Sequence, residues 1–91
     1  MTPDELRRLL RSHLIHTRDV PNGKDFVFSG PAEILHDALR QIVLIEQASE
    51  GGRLRLDFAK VGPFYLLRIV GGPAEQAEIA AFFTLQDEDA R

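Results

Sequence analysis

The chain has 91 residues, of which 44% are apolar and 27% charged, values of an average globular domain that exclude wholesale disorder and collagen-like structure. Eleven Lys and Arg against 14 Asp and Glu leave a net charge of −3, which argues against a nucleic-acid binder, since such proteins draw much of their affinity from positive excess. Cysteine is absent, so disulfides, thiolate nucleophiles and Cys-bearing zinc sites are excluded.

Thr2-Pro3-Asp4-Glu5 is a helix start, with a hydroxyl cap, proline at the first helical position and Glu three residues after the cap. Leu6, Leu9, Leu10, His13 and Leu14 follow on one helical face, with Arg7, Arg8 and Arg11 opposite, so the helix is predicted to end near His16 or Thr17. Val20-Pro21-Asn22-Gly23-Lys24 is a turn, and Asp25–Phe28 a short strand broken by Ser29-Gly30-Pro31. An alternative pairs Ile15–Val20 with Lys24–Phe28 as a hairpin across that turn.

Pro31–Ser49 is a long helix whose apolar face carries Ile34, Leu35, Ala38, Leu39, Ile42, Val43 and Ile45. Leu44 falls among its polar residues, where it meets a partner or a second covering layer. Gly51-Gly52 stops the helix. Arg53–Phe58 alternates as a half-buried strand, and Phe64–Val70, apolar on both faces except at Arg68, is a central strand paired with it. Pro73 opens a last helix over Ala74–Leu85, and 86–91 form a frayed acidic tail.

The fold expected is therefore one small α+β domain over 1–91, in the order α-β-α-β-β-α. It has a three-stranded, largely antiparallel sheet with helices packed on one face. The other face would carry Arg53, Arg55, Asp57 and Arg68 between apolar residues of the last strand. No apolar run reaches the ~18 residues of a membrane span and no leader pattern opens the chain, so a cytosolic, bacterial-type setting is expected. A chain this size buries only roughly 60–70% of its unfolded surface, which favours association with another copy or partner.

Candidate chemistry is sparse. His13 and His16, three apart on the predicted helix, could share a metal with Asp19 or His36; the favoured reading is a packed His13 and a capping His16, with no metal and no cofactor. Ser29-Gly30 lacks the preceding glycine of a nucleophile elbow and is turn chemistry. The acids lie on solvated faces, and the Gly-Gly pairs are too short to cradle phosphate.

Two stretches resemble histidine-kinase elements. Phe26–Phe28, Gly30, Ala32–Ser49, Gly51-Gly52, Arg53–Phe58 and Phe64–Val70 resemble in outline the ATP-binding domain of sensor histidine kinases. Where that family has two asparagines this chain has Gln41 and Ile45, and Gly71-Gly72-Pro73 replaces its Asp-x-Gly-x-Gly, so the resemblance implies a degenerate relative that does not bind ATP. Leu35-His36-Asp37-Ala38-Leu39-Arg40-Gln41 is similar to the phosphoacceptor box of those kinases, which implies phosphotransfer at His36 with Asp37 orienting the imidazole. The two resemblances assign one helix to different family elements.

The function expected is a non-catalytic protein-binding or regulatory module, acting as a homodimer or in a larger complex. Its contact residues would be Leu44, Arg53, Arg55, Phe64, Leu66 and Arg68. The rivals are a phosphorelay intermediate using His36 and a nucleic-acid binder using Arg7, Arg8, Arg11, Arg53, Arg55 and Arg68.

Overall fold

A computed structural model describes residues 1–48 and 53–84. Helix α1 spans Pro3–Arg11, β1 Leu14–Val20, β2 Gly23–Phe28, α2 Ala32–Ala48, β3 Arg55–Val61 and β4 Phe64–Val70. A 3-10 turn over Pro73–Glu75 leads into the short helix α3, Gln76–Ala80. The four strands form one antiparallel sheet in the order β1-β2-β4-β3. The α+β class holds, with four strands instead of three.

The extra strand is the N-terminal half of the alternative hairpin. The capping box forms as expected, Thr2 Oγ1 accepting from the Glu5 amide at 3.1 Å and Glu5 Oε1 from the Thr2 amide at 2.8 Å. The helix nevertheless ends at Arg11, with Ser12 as its C-cap. His13 and Leu14 continue the helical spacing by coincidence. Beyond them Ile15, Thr17 and Val20 are β-branched and suit a strand. Pro21 and Asn22 are the two turn residues, Asn22 taking the positive φ of 66° that the second position of a type II turn requires. Gly23 belongs to the strand, and a Cβ there would collide with the Ile69 carbonyl oxygen. A one-residue irregularity between Leu14 and His16 leaves Ile15 exposed.

β4 is central, as its two apolar faces predict, and its hairpin with β3 turns on Gly62-Pro63 with Gly62 at φ 61°. Strand β3 runs Arg55–Val61, starting two residues and ending three residues later than the alternation over Arg53–Phe58 implies. Helix α2 buries Leu35, Ala38, Leu39 and Ile42, half-buries Val43 and Ile45, and leaves Ile34 and Leu44 exposed. The predicted helical residue Ser49, the Gly51-Gly52 stop, Leu85 and the tail 86–91 lie outside the described residues.

All three helices contribute to a core on one face of the sheet. Leu6 and Leu10 of α1, the buried face of α2 and Ile79 of α3 meet Phe26, Phe28, Leu56, Tyr65, Leu67 and Ile69. The last helix is shorter than Ala74–Leu85 because Phe82 and Phe83 are both buried. Adjacent residues point about 100° apart on a helix. After Ala80 the chain tightens into i→i+3 bonds, Phe82 amide to Ile79 carbonyl at 3.2 Å and Thr84 amide to Ala81 carbonyl at 2.9 Å, and both rings turn inward. Phe83 stands edge-on to Phe26 (4.9 Å between centroids) and Phe28 (5.6 Å). Arg7 stacks over Phe82 at 4.5 Å and pairs with Glu46 of α2 at 2.7 Å, tying α1 to α2 and to the segment that follows α3.

Candidate functional site: the open face of the sheet

Side chains alternate across a strand, so burial of Phe26, Phe28, Leu56, Tyr65, Leu67 and Ile69 sends their neighbours to the opposite face. Among the described residues no helix covers that face. The strand registers arrange it in rows running perpendicular to the strands. The central row reads Arg18, Asp25, Arg68, Asp57 from β1 to β3. The next reads His16, Val27, Leu66, Ala59, and on the other side lie Val20, Gly23, Val70 and Arg55. Phe64 and Val61, paired at the β4–β3 end, add two exposed apolar side chains.

Asp25 organises the face. It has no solvent exposure although it lies on the uncovered side, because two arginines roof it. Arg68 donates from Nε to Oδ1 at 2.7 Å and from Nη2 to Oδ2 at 2.9 Å, a bidentate fork, while Arg18 Nη2 donates to Oδ2 at 2.8 Å. The hydrogen bonds from Arg68 chiefly, then those from Arg18, hold the Asp25 carboxyl below its ordinary range against the opposing effect of burial, and the same contact raises Arg68. Asp57 flanks Arg68 on the other side but makes no ion pair, and neither does Arg55, among the described residues. A shallow depression of about 230 Å³ over β3 and β4 is lined by Asp57, Phe58, Ala59, Leu66 and Arg68. A second, of about 410 Å³, lies at the strand ends between Pro21, Asn22, Arg53, Arg55, Val70 and Gly71.

The expected contact residues therefore separate. Arg55, Phe64, Leu66 and Arg68 share the open face. Arg53 precedes β3 and leaves it, donating from Nη1 and Nη2 to Glu78 of α3 at 2.6 and 3.2 Å, a contact that lowers the Glu78 carboxyl. Leu44 is exposed on α2, in the helical layer. Asp25 and Arg18 were missed in the sequence. Asp25 read as the polar start of a short strand and Arg18 as a residue just beyond a helix ending near His16 or Thr17, and only the register that aligns both with Arg68 shows their role.

His36 is exposed, and its ring lies edge-on to Phe58 at 5.4 Å and Tyr65 at 6.4 Å. Asp37 does not bond to it; its oxygens accept from Arg40 at 3.0 Å and Gln41 at 2.7 Å. His13 and His16 do not share a helix face. His13 lies between α1 and β1 with Nδ1 3.2 Å from the Ser29 carbonyl oxygen, and His16 is on the open face of β1. Among the described residues no three His, Asp or Glu converge on a possible metal position. Of the arginines of the nucleic-acid reading, Arg7 belongs to the helical layer and pairs with Glu46, Arg53 pairs with Glu78 and Arg68 with Asp25. Among the described residues no helix is long and apolar enough to cross a membrane. Comparison with protein families, with curated proteins and with solved structures finds no match to the chain.

Proposed function

We propose that this chain is a non-catalytic protein-binding module of regulatory role in the cytosol of a bacterial-type cell, and that it binds through the open sheet face. The observation that carries this reading is the face itself. A sheet with one bare side normally presents polar residues there. Here Val27, Leu66 and Val70 are half-buried and Phe64 and Val61 exposed, 39% and 56% accessible, beside a charge row already ordered by Asp25. An apolar strip with a pre-ordered polar row has the composition of a protein contact surface: buried anchors and hydrogen-bonding groups held in place before binding.

Site-specific photo-cross-linking in cells tests it. A benzophenone side chain at Ala59, on the open face, should yield discrete protein adducts that Leu66→Glu abolishes. The same probe at Glu33, exposed on α2, should not. No adduct from position 59, or the same adducts from both positions, would refute the reading.

A further inference from the structure

Resting on the reading of the open face as a protein contact surface, we propose that its partner is a second copy of this chain, seated face to face about a two-fold axis that runs along the strands between β2 and β4. The charge pattern carries this. The central row alternates Arg18, Asp25, Arg68, Asp57, with an even number of members. A two-fold axis along the strands reverses the order of the row on the opposing copy. Arg18 then faces the partner's Asp57 at both ends of the row, while Asp25, covered by its own Arg18 and Arg68, stays paired within its chain, so the net positive Arg18-Asp25-Arg68 cluster of each copy meets the Asp57 side of the other. A two-fold axis running along the row instead would place Arg18 over Arg18 and Asp57 over Asp57. Only the first arrangement is electrostatically self-complementary, and isologous pairing requires self-complementarity.

The neighbouring row agrees in shape. Under the same axis Val27 meets the partner's Leu66, and His16 meets the partner's Ala59. The depression over β3 and β4 thus lies opposite the bulkier β1–β2 side, where His16, Arg18 and Val27 project. The contact also gives Asp57 the cation it lacks among the described residues, and gives Arg18, whose side chain is 61% exposed, a second carboxylate. Packed sheets cross at about 30°. The row's end members lie ~7 Å from the axis at a strand spacing of ~4.8 Å, so that crossing offsets Arg18 from the partner's Asp57 by about 4 Å, within reach of an arginine. Four strands of about seven residues offer roughly 19 by 23 Å in projection. Side-chain relief brings the two-copy contact near the lower end of the range for specific interfaces, about 1,200 Å² in total, so pairing should be reversible and concentration-dependent.

Sedimentation equilibrium of the full chain from about 10 μM to about 1 mM tests the arrangement, a range set for a reversible small interface. The wild type should pass from one to two chain masses. Arg18→Glu and Asp57→Lys, each confirmed folded by circular dichroism, should each pair with themselves about tenfold or more weakly, since each creates two like-charge contacts per dimer. An equimolar mixture of the two should recover pairing to within about threefold of wild type, because each altered row complements the other. Should Arg18→Glu not fold, Ala59→Trp, at an exposed position, fills the depression and must weaken pairing by itself. A wild type that stays monomeric throughout, a mixture that does not recover, or an unaffected Ala59→Trp would overturn the proposal. Adducts to other proteins from the Ala59 photoprobe, with the chain monomeric, would refute the second copy and leave the protein-binding reading standing.

Discussion

Asp25→Asn is the sharpest probe of the open face. The carboxylate is fully buried and accepts three hydrogen bonds from two guanidinium groups. A hydrogen bond to a charged group contributes about 1.5–3 kcal/mol, but these are not simply additive. Arg18 and Arg68 keep 61% and 50% of their side-chain surface exposed, so both rehydrate when the carboxylate is lost, and the sum must be discounted. Asparagine keeps one acceptor oxygen and sets an amide donor against guanidinium donors. A net destabilisation of about 2 kcal/mol is expected, against a total stability of about 5–9 kcal/mol for a domain of this size. For a domain under 100 residues each kcal/mol moves the melting temperature by about 4–8 °C, so the drop should be roughly 8–16 °C at pH 7. The assay is thermal unfolding by circular dichroism as a function of pH. Because the folded carboxyl titrates below its ordinary value of 3.8, its contribution is complete above that value and is lost as pH falls through the lowered one. The gap between wild type and Asp25→Asn should therefore be constant from pH 7 to about pH 5 and close in strong acid. A gap below about 0.5 kcal/mol at pH 7, or one that stays constant into strong acid, would refute the account of Asp25 as the charged keystone of the row.

Three further substitutions probe the frame that holds the face. Gly23→Ala should destabilise by about 2–3 kcal/mol, because the added Cβ meets Ile69 and Val70 backbone atoms of the central strand that cannot move aside; chemical denaturation measures it. Gly62→Ala has no atom within 4 Å to meet and should lose only the about 1–2 kcal/mol of left-handed strain at φ 61°, so the order of the two variants is itself a check. Phe83→Ala removes the ring that joins Phe26, Phe28 and Phe82 and should cost about 3–5 kcal/mol, read by circular dichroism as a melting temperature lowered by roughly 12–40 °C.

The long helix, the central strand and the first helix's capping box were legible because each is a local pattern. Leu35, Ala38, Leu39 and Ile42 repeat at helical spacing, Phe64–Val70 is apolar on both faces, and Thr2 and Glu5 satisfy one another three residues apart. β1 was not legible in this way. As an edge strand it half-buries only Leu14 and Val20, so no alternation of apolar and polar residues marks it, and the helical spacing of His13 and Leu14 misleads. What decides it is the pairing with β2, a contact between segments that no periodicity within 14–20 encodes.

The open face shows the same division. The sequence alone determined that Leu66 and Arg68 share one side of a strand and that Arg55 and Asp57 share one side of its neighbour, since side chains repeat every two residues. The tertiary structure decided which residues stand beside one another across strands. Register aligns Arg18, Asp25, Arg68 and Asp57 from four strands into one alternating row, while helix packing pairs Arg53 with Glu78 of α3 and leaves Leu44 in the helical layer. Position along a strand is a local property, whereas register follows from turns at Asn22 and Gly62 and from the core that the sheet's other side must bury.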